Sequence, residues 1–221
     1  MSTFLLLHGA GSDGWYWHRV VPFLDGHDVV TPDLPVTDES CGFEEYADTA
    51  AAAVGAREDV VVVAQSLAGF VAPLLVGRLP VREIRMVAAM TPKPGESAGE
   101  WWETSGQAPA RRAAELAAGR DPDAELDPAV TFLHDVPAEI VEAGWSHVFP
   151  QASRPFHDPW PLAAWPEVPT RFLAATQDRL FPLALQRRLV RERLGLEVEE
   201  TDSGHLPALA RPAGLAGWLL G

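Results

Sequence analysis

Ser66 stands where two kinds of sequence meet. Before it runs "VVVVAQ", a continuous β-branched stretch of the kind that forms a strand buried on both faces. After it, "LAGF" opens a helical stretch. A serine on such a strand–turn–helix corner has its oxygen lifted clear of the sheet. The helix N-terminus beside it offers backbone N–H groups to an anion. Small neighbours are required, because the turn brings two backbones together. The usual pattern, G-x-S-x-G, reads here Ala64-Gln65-Ser66-Leu67-Ala68, with Gly69 one step later, so both motif glycines carry a methyl group. The competing role for a serine here is to cap the helix that follows.

A serine hydroxyl is a weak nucleophile and needs a base, and the base needs an orienting carboxylate. Of seven histidines, His205 in "TDSGHLPALARP" follows the last predicted strand, with Gly204 allowing a sharp turn before it. Asp178 in "AATQDRLFP" follows the preceding strand. It lies 112 residues after Ser66 and 27 before His205. The order Ser, Asp, His, each just after a strand, is that of a triad built along the carboxyl edge of a parallel sheet. Asp202 is the rival acid, but its place in the loop before His205 suits a solvated turn residue. His8 is expected to organise the turn that follows it by hydrogen bonding. His18 and His27 suit surface positions, and His134, His147 and His157 fall where they could touch substrate or simply face water. No histidine or cysteine spacing suits a metal, and no cofactor is expected.

The stretch "GAGSDG" at residues 9–14, after the apolar run "FLLLH", matches the G-x-G-x-x-G turn that binds a dinucleotide, and Asp33 stands near where an acid would meet a ribose. Three features oppose that reading. His8 has no role in such a turn, "GWYW" places bulky rings where a helix must approach a pyrophosphate, and Asp33 sits between Pro32 and Pro35 in a loop. The glycines are read instead as permitting close backbone approach to some other anion, and NAD(H) binding is expected to be absent.

The elements that must hold these residues alternate. Strands are predicted at "TFLLL", "DVVTPD", "DVVVVAQ", "EIRMVAAM", "TRFLAATQ" and "LEVEET". Helices are predicted at "GWYWHRVVPFL", "FEEYADTAAAAVGA", "SLAGFVAPLLVGRL" (where Pro73 should kink or displace it), "PLALQRRLVRERLG" and "LPALARPAGLAGWLL". The fold class is therefore α/β, a mostly parallel sheet with helices on both faces and ligands bound beyond the strand carboxyl ends. The 221 residues suffice for a single domain. A formal net charge of −14 disfavours nucleic acid and anionic membrane as partners. The single cysteine, Cys41, cannot form an intrachain disulfide, and no targeting or bilayer-spanning segment is visible, so a cytoplasmic setting is expected. A small-molecule substrate is the expected partner, alongside a possible homodimer.

The strings "LLLHGAGSDGWYWHRVVPFL", "PDLP", "AQSLAGF", "TQDRLFP" and "SGHLPALARP" resemble the α/β-hydrolase superfamily, and within it the branch of plant methylesterases and hydroxynitrile lyases. The resemblance covers about residues 2–91 and 165–221. It implies an oxyanion hole made by the backbone N–H groups of Ala10 and Leu67. The lyases of that branch carry threonine where Gly9 stands and lysine where Leu206 stands, so the resemblance favours ester hydrolysis over cyanohydrin cleavage. Relatives that use an aspartate nucleophile are set aside by Ser66.

Residues 92–164 interrupt the alternation and are rich in tryptophan and phenylalanine. "PARRAAELAAG" and "AEIVEAGWSHVF" read as short amphipathic helices of a cap over the strand ends. Most of its aromatic residues should pack the cap onto the core, and a few should face substrate. The pocket candidates are Trp17, Trp101, Trp102, Phe132, Trp145, Phe149 and Leu206. The expected function is a serine esterase acting on a small to medium apolar or aromatic ester. Non-hydrolytic chemistry on the same triad (a lyase, isomerase or cyclase) and a ligand-binding protein with little turnover are the alternatives.

Overall fold

A computed structural model describes residues 2–221. Six strands form one sheet: β1 (Thr3–Leu7), β2 (Asp28–Val30), β3 (Val60–Gln65), β4 (Val81–Val87), β5 (Thr170–Ala175) and β6 (Glu199–Thr201). Their order is β2-β1-β3-β4-β5-β6 and every pairing is parallel. The order reverses between β1 and β3, the crevice where ligands of open α/β sheets bind. β1 and β3 are buried throughout, which is why they read as unbroken apolar runs. Alternate residues feed opposite layers. Leu5, Leu7, Val60, Val62 and Ala64 face one apolar cluster, while Phe4, Leu6, Val61 and Val63 face the other. Each of the valine, leucine and phenylalanine side chains contributes roughly 1.5–3 kcal/mol by leaving water.

The α-helices follow in chain order: α1 (Phe43–Val54), α2 (Ala98–Thr104), α3 (Gln107–Ala117), α4 (Pro128–Thr131), α5 (Ala138–Gly144), α6 (Arg154–His157), α7 (Leu183–Leu194), α8 (Pro207–Ala210) and α9 (Pro212–Leu220). α1 begins with two acids that suit its dipole, and the Glu45 carboxylate accepts the Gly42 N–H at 2.7 Å. Three predicted helices are broken, each at a proline, which lacks the N–H needed to continue an α-helix. "GWYWHRVVPFL" becomes two 3₁₀ turns, Gly14–Trp17 and Val21–Phe23. "SLAGFVAPLLVGRL" becomes Ser66–Phe70 and Ala72–Leu75. The closing helix divides into α8 and α9 at Arg211, just before Pro212.

Residues 92–164 hold five α-helices and, among the described residues, no strand. Their entry is fastened to the core by a buried ion pair, Glu96 with Arg193 of α7 at 2.6 Å, in which Arg193 also donates to the Thr91 carbonyl. Among the described residues no helix is long and apolar enough to cross a membrane.

Candidate active site

The last residue of β3 is Gln65, and Ser66 follows it with φ +52°. A non-glycine residue there costs roughly 1–3 kcal/mol of backbone strain, which persists only where the surroundings enforce it. They do so by crowding: a Cβ on Gly69 would lie 1.9 Å from the Met90 carbonyl oxygen, while the Met90 N–H donates to the Ser66 carbonyl at 2.9 Å. The close approach that demands glycine therefore falls at position 69. Ala64 and Ala68 keep their methyl groups and are buried within the core.

Strand ends bring three distant residues together. Ser66 Oγ lies 3.1 Å from His205 Nε2, and His205 Nδ1 lies 2.7 Å from Asp178 Oδ2. An ionised carboxylate only accepts, so Nδ1 carries the proton and Nε2 is free to accept from the serine hydroxyl. Asp178 Oδ1 accepts the N–H groups of Leu180 and Phe181, both at 2.8 Å, which fixes the carboxylate. The side chains of Asp178 and His205 are 0% and 2% exposed. Phe132 and Phe181 flank the imidazole, with ring centroids 5.6 and 5.0 Å away. Asp202, the rival acid, is exposed and bonded to Gln177.

Two supports of this arrangement were not anticipated. Gln65 Nε2 donates to the His205 carbonyl at 3.1 Å. Asp135 accepts the Gly204 N–H at 2.8 Å and the Ser203 hydroxyl at 3.2 Å, bracing the turn before His205 from the insertion. A lone aspartate in an irregular segment carries no pattern by which it could have been singled out.

His8 organises the first turn as expected. Its Nδ1–H donates to the Gly9 carbonyl at 2.9 Å, and its Nε2 accepts the Leu34 N–H at 3.0 Å. Burial pushes its pKa below the ordinary histidine value, and the bond that Nε2 accepts from Leu34 requires the neutral ring. Asp33 accepts the Gly14 N–H at 2.9 Å and thus closes the turn itself. A Cβ on Gly14 would sit 2.4 Å from the Thr31 carbonyl oxygen, so this glycine serves a backbone crossing inside the protein.

A cavity of about 480 Å³ opens from Ser66 and His205. Ala10 and Leu67 are among its lining residues, and no lysine, arginine, aspartate or glutamate borders it. Trp102, Phe132, Trp145 and Leu206 line it. Three other pocket candidates lie outside it. Trp17 is wholly buried in the core with Tyr16 edge-on at 4.8 Å. Trp101 is buried against Trp102 and Phe181 and supports the wall without reaching the space. Phe149 packs on the core while its backbone N–H donates to Gly11. The remaining wall includes Trp15, Tyr16, Leu133, Val136, Ile140 and Val141, none of them among the expected pocket residues. For Ile140 and Val141 the signal was present in the apolar face of α5. His147 also borders the cavity, paired with Asp13 at 2.7 Å and stacked on Trp15. His134 and His157 instead bond the Gln177 and Ser153 carbonyls.

A sequence model of the alpha/beta hydrolase family matches residues 4–218. The chain belongs to the alpha/beta hydrolase family. Solved structures of similar shape include a pyrethroid hydrolase from Sphingobium faniae JZ-2, at 23% identity and TM-score 0.78, covering 99% of this chain and 96% of the other. Polyneuridine aldehyde esterase gives 20% identity and TM-score 0.79, covering 100% and 98% of the two chains. A methylesterase from Arabidopsis gives 19% identity and TM-score 0.77 with the same coverage. No curated protein sequence matches the chain significantly.

Proposed function

We propose that the protein is a serine hydrolase that cleaves small to medium apolar or aromatic carboxylic esters through an acyl-enzyme. The observation that carries this reading is the continuous hydrogen-bonded chain Ser66–His205–Asp178, with Ser66 and His205 bordering a cavity without charged residues. His205 Nε2 takes the hydroxyl proton as Ser66 Oγ attacks the ester carbonyl, and Asp178 stabilises the imidazolium so formed. The Ala10 and Leu67 N–H groups receive the oxyanion. His205 then gives its proton to the departing alkoxide. Water attacks the acyl-enzyme with His205 again as base, and the carboxylic acid leaves with Ser66 restored.

An uncharged cavity in a chain of net charge −14 favours a neutral substrate over a charged one. The carboxylate product, gaining charge in that cavity, is disfavoured there and leaves. Two positions support hydrolysis over cyanohydrin cleavage. Leu206 brings no positive charge to the cavity. A Cβ at Gly9 would lie 2.4 Å from Gln65 Oε1, so a threonine there would displace the side chain that holds the His205 carbonyl. The reading also agrees with the names of the similar structures, a pyrethroid hydrolase, an esterase and a methylesterase.

A fluorophosphonate probe is expected to label Ser66, with p-nitrophenyl acetate turned over and one water-derived oxygen entering the acid product. Folded protein left unlabelled would overturn the nucleophile assignment. Product formed without that oxygen would replace hydrolysis by a lyase or isomerase reaction.

A further inference from the structure

The loop that carries Ala10 is held from two directions, and only one of them belongs to the sheet. The Ala10 N–H lies in the peptide between Gly9 and Ala10. A trans peptide is planar, so its carbonyl and N–H point opposite ways. His8 fixes this plane by binding the Gly9 carbonyl at 2.9 Å. The next plane, between Ala10 and Gly11, is fixed by a different residue: the Gly11 N–H donates to Gln151 Oε1 at 3.0 Å. With both flanking planes fixed, the two backbone torsions of Ala10 are set, and so is the direction of its N–H.

Gln151 itself is well anchored. Its Nε2 donates to Tyr46 Oη at 3.0 Å and to the Ala152 carbonyl at 3.1 Å. The next N–H, that of Ala152, donates to the Val36 carbonyl at 2.6 Å. These acceptors determine which way the amide faces, since a flipped amide would set its NH₂ against the Gly11 N–H. The two segments also meet through backbone. The Phe149 N–H donates to the Gly11 carbonyl at 2.9 Å, and Gly11 has φ +60° with its missing Cβ 2.8 Å from the Phe149 carbonyl oxygen. Asp13, two residues after Gly11, pairs with His147, two residues before Phe149.

We infer that Gln151, in the stretch of the insertion between α5 and α6, is a positioning residue for the oxyanion donor Ala10. It acts through the Gly11 N–H and does not line the cavity. The inference rests on the serine-hydrolase reading. It makes residues 147–152 a working part of the catalytic loop, fixed in place whenever that loop is competent.

Gln151→Met keeps the length of the side chain and removes its hydrogen bonds. For p-nitrophenyl acetate it is expected to lower kcat about 10-fold with KM little changed, as for a weakened oxyanion donor. The Ki of an aryl trifluoromethyl ketone, whose Ser66 adduct places an oxyanion at the same spot, should rise by about the same factor as kcat/KM falls. Tyr46→Phe, which removes one anchor of the amide, should move both quantities the same way by about 2-fold, and it serves if Gln151→Met does not fold. A purely structural role would lower thermal stability while leaving kcat per probe-labelled site and Ki unchanged. That result, in wild-type-like folded variants, overturns the inference. Wild-type protein that is neither labelled nor inhibited overturns the serine-hydrolase reading itself, and this inference with it.

Discussion

The two halves of the site are built in opposite ways. Ser66, Asp178 and His205 each follow a strand of one parallel sheet, and their separations are set by strand spacing and register. Nearly half of the residues lining the cavity come from residues 126–156, among them Phe132 and Leu133 just after α4 and Ile140 and Val141 on α5. The sheet holds its residues by a continuous ladder of backbone hydrogen bonds, which tolerates little displacement. The insertion has no such ladder and is tied down by scattered bonds, among them Glu96 with Arg193, Asp135 with Gly204, His147 with Asp13, Gln151 with Gly11, and the Phe149 and Ala152 N–H groups with the Gly11 and Val36 carbonyls. The triad is thus set by the ends of the sheet strands, and much of the cavity's shape by a region without a ladder.

The sharpest test of that division is the loss of a group held by the sheet. Ser66→Ala is expected to lower kcat for p-nitrophenyl acetate by about 10⁶-fold while leaving thermal stability close to wild type. A residual rate near wild type would place the chemistry elsewhere. Asp178→Asn is next, with a loss of about 10⁴-fold, because an amide N–H facing His205 Nδ1 favours the wrong tautomer; stopped or steady-state assays on the folded variant measure it.

A pair of tryptophans compares packing with lining. Trp101 is 1% exposed and Trp145 is 55% exposed. Trp101→Ala should cost about 3–5 kcal/mol in denaturant unfolding and leave the kinetic constants of the folded fraction little changed. Trp145→Ala should barely alter unfolding but raise KM for a bulky apolar ester about 5-fold, on the order of 1 kcal/mol of lost contact. The reverse pattern would mean that the wall is set by the buried residue.

The smallest expected effect is one of pH. Burial holds the folded-state pKa of His8 below its ordinary value near 6.5. Below that value the unfolded chain binds the proton more readily, so His8 contributes stability that is present above about pH 6.5 and lost as pH falls below it. Melting curves of His8→Gln should show a shallower decline through this range than the wild type. An identical slope would show that His8 takes no part in the acid limb.

The strands were legible because burial on both faces leaves no room for polar alternation, as in "VVVVAQ". The effect of Pro73 was legible too, as the expected kink or displacement of its helix, but those of Pro22 and Pro212 were not. Pro22, Pro73 and Pro212 broke helices whose apolar spacing looked continuous, since periodicity survives a break in hydrogen bonding. Trp17, Trp101 and Phe149 have the residue type of a pocket wall but lie outside the cavity. An aromatic ring suits a buried wall and a substrate-facing wall alike, and composition does not say on which side of the backbone the cavity opens.

By itself the sequence determined the alternation of strands and helices, and with it the chain order in which a serine, an aspartate and a histidine reach one sheet edge. That follows from local physics: apolar periodicity, β-branched runs and sharp turns at glycine. Tertiary structure alone decided that Gly69 rather than residue 68 meets the neighbouring backbone, that Asp33 closes its own turn, and that Asp135 and Gln151 brace the two loops of the site. These are contacts between segments far apart in the chain. Each depends on distances of a few ångströms that no local pattern encodes.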